Sequence, residues 1–171
     1  MDWPHNSFSL WVDFQLTRLG QWVSWLWLIL LGVIVLNVVM RYIFGEGRIE
    51  FEEIQWHLYA IGFLLGLSYA NVKDAHVRVD VVRARLNPRH QAWIELYGIL
   101  LLLMPFIVLV IFYSVPFVHY SFLNGEVSEA PGGLPYRWVI KSCLVVGFGL
   151  LFLSSLARLS RVWSFLFGED A

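Results

Sequence analysis

The sequence predicts an all-α integral membrane protein, a bundle of four helices crossing a bilayer. Three observations predict it. Apolar residues make up 58% of the 171-residue chain and charged residues only 15%, against roughly 45–50% and 25% in an average soluble domain. Four stretches reach or approach the ~20 apolar residues that a helix needs to cross a ~30 Å hydrocarbon core. Finally, segments 28–36 and 99–104 are apolar on every side. Membrane strands instead alternate apolar and polar residues, so these segments satisfy their backbone groups internally, as helices.

The first span runs from Trp22 to Phe44, with Asn37 and Arg41 as its strongly polar members. Its apolar stretch begins near Leu19 and runs past residue 40, longer than a secretory signal core, and reads as a retained anchor. The second span, Ile54 to Val72, carries Gln55 and His57 at its start and Asn71 at its end. The third, Ala92 to Pro116, holds one charge, Glu95, and the fourth, Trp138 to Leu156, holds Lys141. The connections are too short for a separate domain, so residues 1–171 form a single membrane domain.

Orientation follows the excess of Lys and Arg in short cytoplasmic segments. The two termini and the loop between spans two and three hold eight basic residues, Arg18, Lys73, Arg78, Arg83, Arg85, Arg89, Arg158 and Arg161. The opposite side holds four, Arg41, Arg48, Arg137 and Lys141, which places both termini in the cytoplasm. Aromatic anchors agree: Trp22, Trp25, Trp93 and Trp163 make one interfacial belt, and Trp56, Trp138, Tyr42 and Tyr136 the other. A net charge of −1 offers no field for nucleic acid. The single cysteine, Cys143, excludes an intramolecular disulfide and a cysteine-based metal cluster.

Few residues could carry chemistry. Arg41 and Asn37 share a helix face about a turn inside the end of span one, where an arginine needs a partner. Glu52 or Glu53, across a short hairpin, is the nearest acid, and Arg41–Glu53 is expected as a structural ion pair rather than a proton relay. Gly62 and Gly66 form a small-residue face suited to close helix packing. The basic stretch 73–89 is expected to lie along the membrane surface as a short interfacial helix between spans two and three. There His76, Arg78, Arg83 and Arg85 would meet lipid headgroups or a partner. The loop from Asn124 to Tyr136, rich in turn formers and acids, is either a plain connection or a docking surface using Glu126, Glu129 and Arg137. His57 and His119 lie at similar depth, so a haem held between them, as in the membrane anchor of a respiratory enzyme, is the alternative reading. No nucleophile, zinc, phosphate or dinucleotide motif is present; no enzymatic activity, metal or cofactor is expected.

Taken in order, the polar pieces resemble the small membrane subunit, the DctQ type, of tripartite ATP-independent periplasmic (TRAP) transporters. The resemblance covers about residues 20–160. It rests on the Arg-Tyr pair at 41–42, Glu-Glu-Ile-Gln-Trp-His-Leu-Tyr at 52–59 and Phe-Leu-Leu-Gly-Leu-Ser-Tyr-Ala at 63–70. It continues through Ala-His-Val-Arg-Val-Asp at 75–80, Asn-Pro-Arg-His-Gln-Ala-Trp-Ile-Glu-Leu at 87–96 and Pro-Phe-Val at 116–118. It closes on Gly-Glu-Val-Ser at 125–128 and Gly-Gly-Leu-Pro-Tyr-Arg-Trp-Val-Ile-Lys at 132–141. The resemblance implies residence in the bacterial inner membrane beside a large membrane subunit that carries the substrate and sodium sites. It further implies a soluble periplasmic substrate-binding protein that delivers an organic acid. This chain would then bind no substrate itself and brace the large subunit.

Overall fold

A computed structural model of the chain describes residues 4–76 and 86–168. Among them there are four helices and no strand. Helix α1 spans Ser7–Ile43 and α2 spans Ile49–Val72. Helix α3 spans Pro88–Leu123 with a π-helical turn at Gly98–Leu103, and α4 spans Arg137–Phe167.

All four helices outrun the apolar stretches that announce them. Apolar composition marks what could sit in hydrocarbon, whereas a helix continues as long as one face finds something to bury. In α1 the buried residues Ser9, Val12, Leu16, Gly20 and Val23 recur every three or four positions, which is one helical face. The helix therefore starts fifteen residues before Trp22, at Ser7. A reciprocal cap begins it: the Asn6 side chain accepts from the Ser9 amide at 2.7 Å, and the Ser9 hydroxyl oxygen accepts from the Asn6 amide at 3.1 Å. It stops where Gly45 turns with φ +70°, a conformation glycine adopts without the Cβ clash.

In α3, Pro88 occupies the first turn, where its missing N–H costs nothing. The π turn has a local cause. Pro105 cannot donate to the Leu101 carbonyl, and its ring crowds that oxygen. The ladder slips by one residue, so that the Met104 amide bonds to the Ile99 carbonyl.

Helix α4 is the centre of the bundle, in contact with α1, α2 and α3, while α1 packs along α2. Three small cores line it. Val12 and Leu16 of α1 meet Ala157; Ala92 and Leu96 of α3 meet Val162; Ile107 meets Phe148 and Leu151. Two glycines allow the close crossings. A Cβ on Gly147 would stand 2.8 Å from the Leu64 carbonyl oxygen, so the α2 and α4 backbones touch there. A Cβ on Gly20 would stand 2.8 Å from Tyr69 Cβ and closer still to its ring.

Helices α1, α3 and α4 are long and apolar enough to cross a membrane. Their outward faces are greasy, with Leu28, Ile29 and Val35 exposed on α1 and Leu101, Leu102 and Phe112 on α3. Exposure on that scale suits lipid rather than water. The expected second span is the more polar one. At about 36 Å, α2 has the length to cross, but Gln55, His57, Ser68 and Asn71 dilute its apolar content. Those groups are largely served inside the protein: Ser68 donates to the Leu65 carbonyl, and Asn71 to the Ser154 hydroxyl of α4. The expected interfacial helix falls mostly on residues 77–85, outside the described residues, together with Arg78, Arg83 and Arg85.

Candidate functional site

Polar side chains gather at the two ends of the bundle, and each gathering ties several helices together. At the end carrying the loop 124–136, Glu53 of α2 is turned inward and only 5% exposed. Its carboxylate accepts from the Leu134 amide at 2.5 Å and from the Ser128 hydroxyl. The loop is folded for this. Ser128 N–H bonds to the Leu134 carbonyl at 3.2 Å, and Gly133 N–H to the Ala130 carbonyl at 2.9 Å. A Cβ on Gly133 would stand 2.6 Å from the Ser128 hydroxyl oxygen and 2.9 Å from the Glu53 carboxylate, so glycine leaves room for their contact. The Ser128 hydroxyl and then the Leu134 amide hold the Glu53 carboxyl below its ordinary value of 4.5. Burial opposes them, and the positive potential of His57 and Arg137 adds to them.

The expected Arg41–Glu53 pair is replaced by a neighbouring one. Arg41 pairs with Glu52, both side chains half-exposed. Consecutive helix residues point about 100° apart, so Glu52 can face α1 only while Glu53 faces the loop. Glu126 is likewise engaged: it pairs with Lys141 of α4, which is 13% exposed and lies 4.0 Å over the Phe117 ring. The Lys141 ammonium and the Ser121 hydroxyl hold the Glu126 carboxyl below its ordinary range. Arg137 sits 5.9 Å over the Trp56 ring, while Glu129 is exposed. Of the three residues expected to face a partner, then, Glu126 and Arg137 have work within the fold.

The other end carries a network that sequence reasoning missed. Arg158 of α4, buried, reaches Glu95 of α3 at 2.5 Å and Asp74 beyond α2 at 2.8 Å. It also donates to the Asn71 carbonyl at 3.3 Å. One turn along α4, Arg161 bonds to Asp13 of α1 at 3.0 Å. Asp74 adopts φ +55° to make its contact. Four helices are thus clamped through two arginines three residues apart. A signal existed: Glu95 is the single charge of its apolar stretch, and an acid at such a position calls for a buried cation. Counting Arg158 and Arg161 as loop charges hid it.

Of the two expected packing glycines, Gly62 lies under Trp27, 3.3 Å from a Cβ built on it, and Gly66 faces open space. His76 is exposed at the end of the α1–α2 groove. The histidines do not converge. His57 donates from Nδ1 to the Glu53 carbonyl at 2.5 Å and stacks on Trp56. His119 is exposed in the C-terminal half of α3, which packs on α4 rather than along α2. Among the described residues, no group of three or more His, Cys, Asp or Glu is placed to hold a metal ion.

The arrangement is therefore one of paired charges at both ends and apolar packing between. Such a body is suited to holding shape in a bilayer. The sequence model of the family described as "Tripartite ATP-independent periplasmic transporters, DctQ component" matches residues 30–165. No curated protein matches the chain significantly.

Proposed function

Because the chain belongs to the DctQ family of TRAP transporters, we propose that it serves as the fixed small membrane subunit of such a transporter. Its work is to brace the large membrane subunit during binding-protein-dependent, sodium-coupled uptake of an organic acid. The observation that carries this reading is the way the polar groups are used. Arg41, Glu53, Glu126, Lys141, Arg158 and Arg161 all have partners within the chain. A moving ion path needs groups that change partners, whereas a brace needs groups that keep them.

In this reading all four helices cross the bacterial inner membrane with both termini in the cytoplasm. The Glu53-anchored loop then lies in the periplasm, where Glu129 is exposed beside it. The loop is held by a buried acceptor and presents a set shape to the binding protein. The greasy faces of α1 and α3 are divided between lipid and the large subunit.

The test is reconstitution of the large subunit with and without this chain. Uptake that needs both chains, with sodium dependence unchanged by Glu53→Gln or Arg158→Met once complex is formed, supports the brace. Sodium stoichiometry altered by either variant contradicts it.

A further inference from the structure

A groove of about 410 Å³ runs between α1 and α2. Its floor is made by Gly62, Gly66 and Ala70, and its walls by Trp27 and Phe63. The walls are braced from behind. Trp27 meets Tyr59 edge-on at 5.8 Å, and Tyr59 stacks with Phe63 at 6.3 Å. The groove is open along Gly66, where a Cβ would meet nothing within 4 Å. At one end it closes on the Tyr69 ring, wedged against Gly20. Two basic side chains stand there: His76 lines the groove, and the Lys73 ammonium lies 5.9 Å from the Tyr69 ring centroid. The acid next to them in sequence, Asp74, is turned to Arg158 instead.

An apolar channel that ends beside the Lys73 ammonium and the His76 imidazole is complementary to a molecule with an apolar chain and a negative head. An acyl chain fits the floor, and a phosphate meets Lys73 and His76 at the level where basic residues attract anionic lipids. We propose that the α1–α2 groove binds one anionic phospholipid, an acyl chain along Gly62 and Gly66 and the phosphate between Lys73 and His76. This goes beyond the brace role and stands or falls separately from it.

The test uses the full chain, with any subunits that accompany it, purified in mild detergent. Native mass spectrometry counts lipid adducts after equal additions of phosphatidylglycerol and phosphatidylcholine. Wild type is expected to retain phosphatidylglycerol preferentially. Lys73→Gln should weaken that preference about fivefold, the effect of one basic residue near a membrane surface, and adding His76→Gln should bring it close to one. Gly66→Leu, whose side chain enters open space, should remove the adduct of either lipid while elution and melting stay as in wild type. Equal retention of the two lipids by wild type, or undiminished phosphatidylglycerol binding in Lys73→Gln, would overturn the proposal. So would Gly66→Leu releasing a protein subunit while keeping its lipid, which would assign the groove to a partner helix. Lys73 lies on the surface, so its variant decides the matter even if Gly66→Leu folds poorly.

Discussion

Replacing Arg158 with methionine removes the cation that three helices share while keeping a side chain of similar reach. The size of the effect can be worked from exposure. The Glu95 side chain is 17% exposed and the Arg158 side chain 6%, so water cannot take over from the guanidinium; removing one member of such a buried pair costs about 3–5 kcal/mol. Asp74 is 47% exposed, and its share is that of a surface pair, about 0–1 kcal/mol. Arg158→Met and Glu95→Leu should therefore each be severe, and Asp74→Asn mild. The double variant Glu95→Leu with Arg158→Met removes both charges from the interior. It should recover much of the loss, because a buried pair replaced by apolar groups is often close to neutral. The assay is denaturant unfolding in mixed micelles followed by tryptophan fluorescence, with Trp93 and Trp163 packed on Phe167 at the same end of the bundle. Single variants that each lose less than about 1 kcal/mol, or losses that simply add in the double variant, would refute the buried clamp.

Other outcomes follow from the same contacts. The Glu53 carboxyl is held low, so its anchoring of the loop is in full force above its ordinary value of 4.5 and is lost as pH falls further, through the folded value. The Leu134 amide resonance should report that transition below pH 4.5 in wild type and not in Glu53→Gln; the same titration in both would contradict the anchor. Gly147→Leu must push α2 away from α4 and should cut the yield of folded protein sharply, while Gly66→Ala, facing open space, should leave it unchanged; equal yields would count against the close crossing. In the 124–136 loop, Glu126→Lys should reduce folded protein by facing Lys141. Glu129→Lys, at an exposed site, should spare folding and weaken uptake most at low salt and scarce binding protein. Loss of uptake at every binding-protein concentration would remove Glu129 from the docking surface.

The helical class of the fold was legible because long apolar stretches admit no other backbone solution in lipid. Helix ends were less legible. Ser7 to Gln21 is mixed in polarity, and only its stripe of Ser9, Val12, Leu16 and Gly20 against α2 and α4 explains why it is helical. The polar site was half legible. Arg41 needs an acid on α2, but choosing between Glu52 and Glu53 depends on where the 128–134 loop folds back, a contact 75 residues away in sequence. Glu126 read as a free surface charge because its partner Lys141 was placed inside a span. The Arg158 network escaped because Asp74 and Arg158 lie just beyond apolar stretches and look like loop charges, while Glu95, inside a span, gives no sign of which distant segment supplies its cation.

Whether this chain braces a larger transporter subunit is decided by purifying the tagged chain from native membranes in mild detergent and identifying what accompanies it by mass spectrometry. A brace should bring with it a large polytopic membrane subunit in near-equal amount, still present with Glu129→Lys and lost with Gly147→Leu. Recovery of soluble redox subunits with a haem absorption band, or of the folded chain alone, would contradict it.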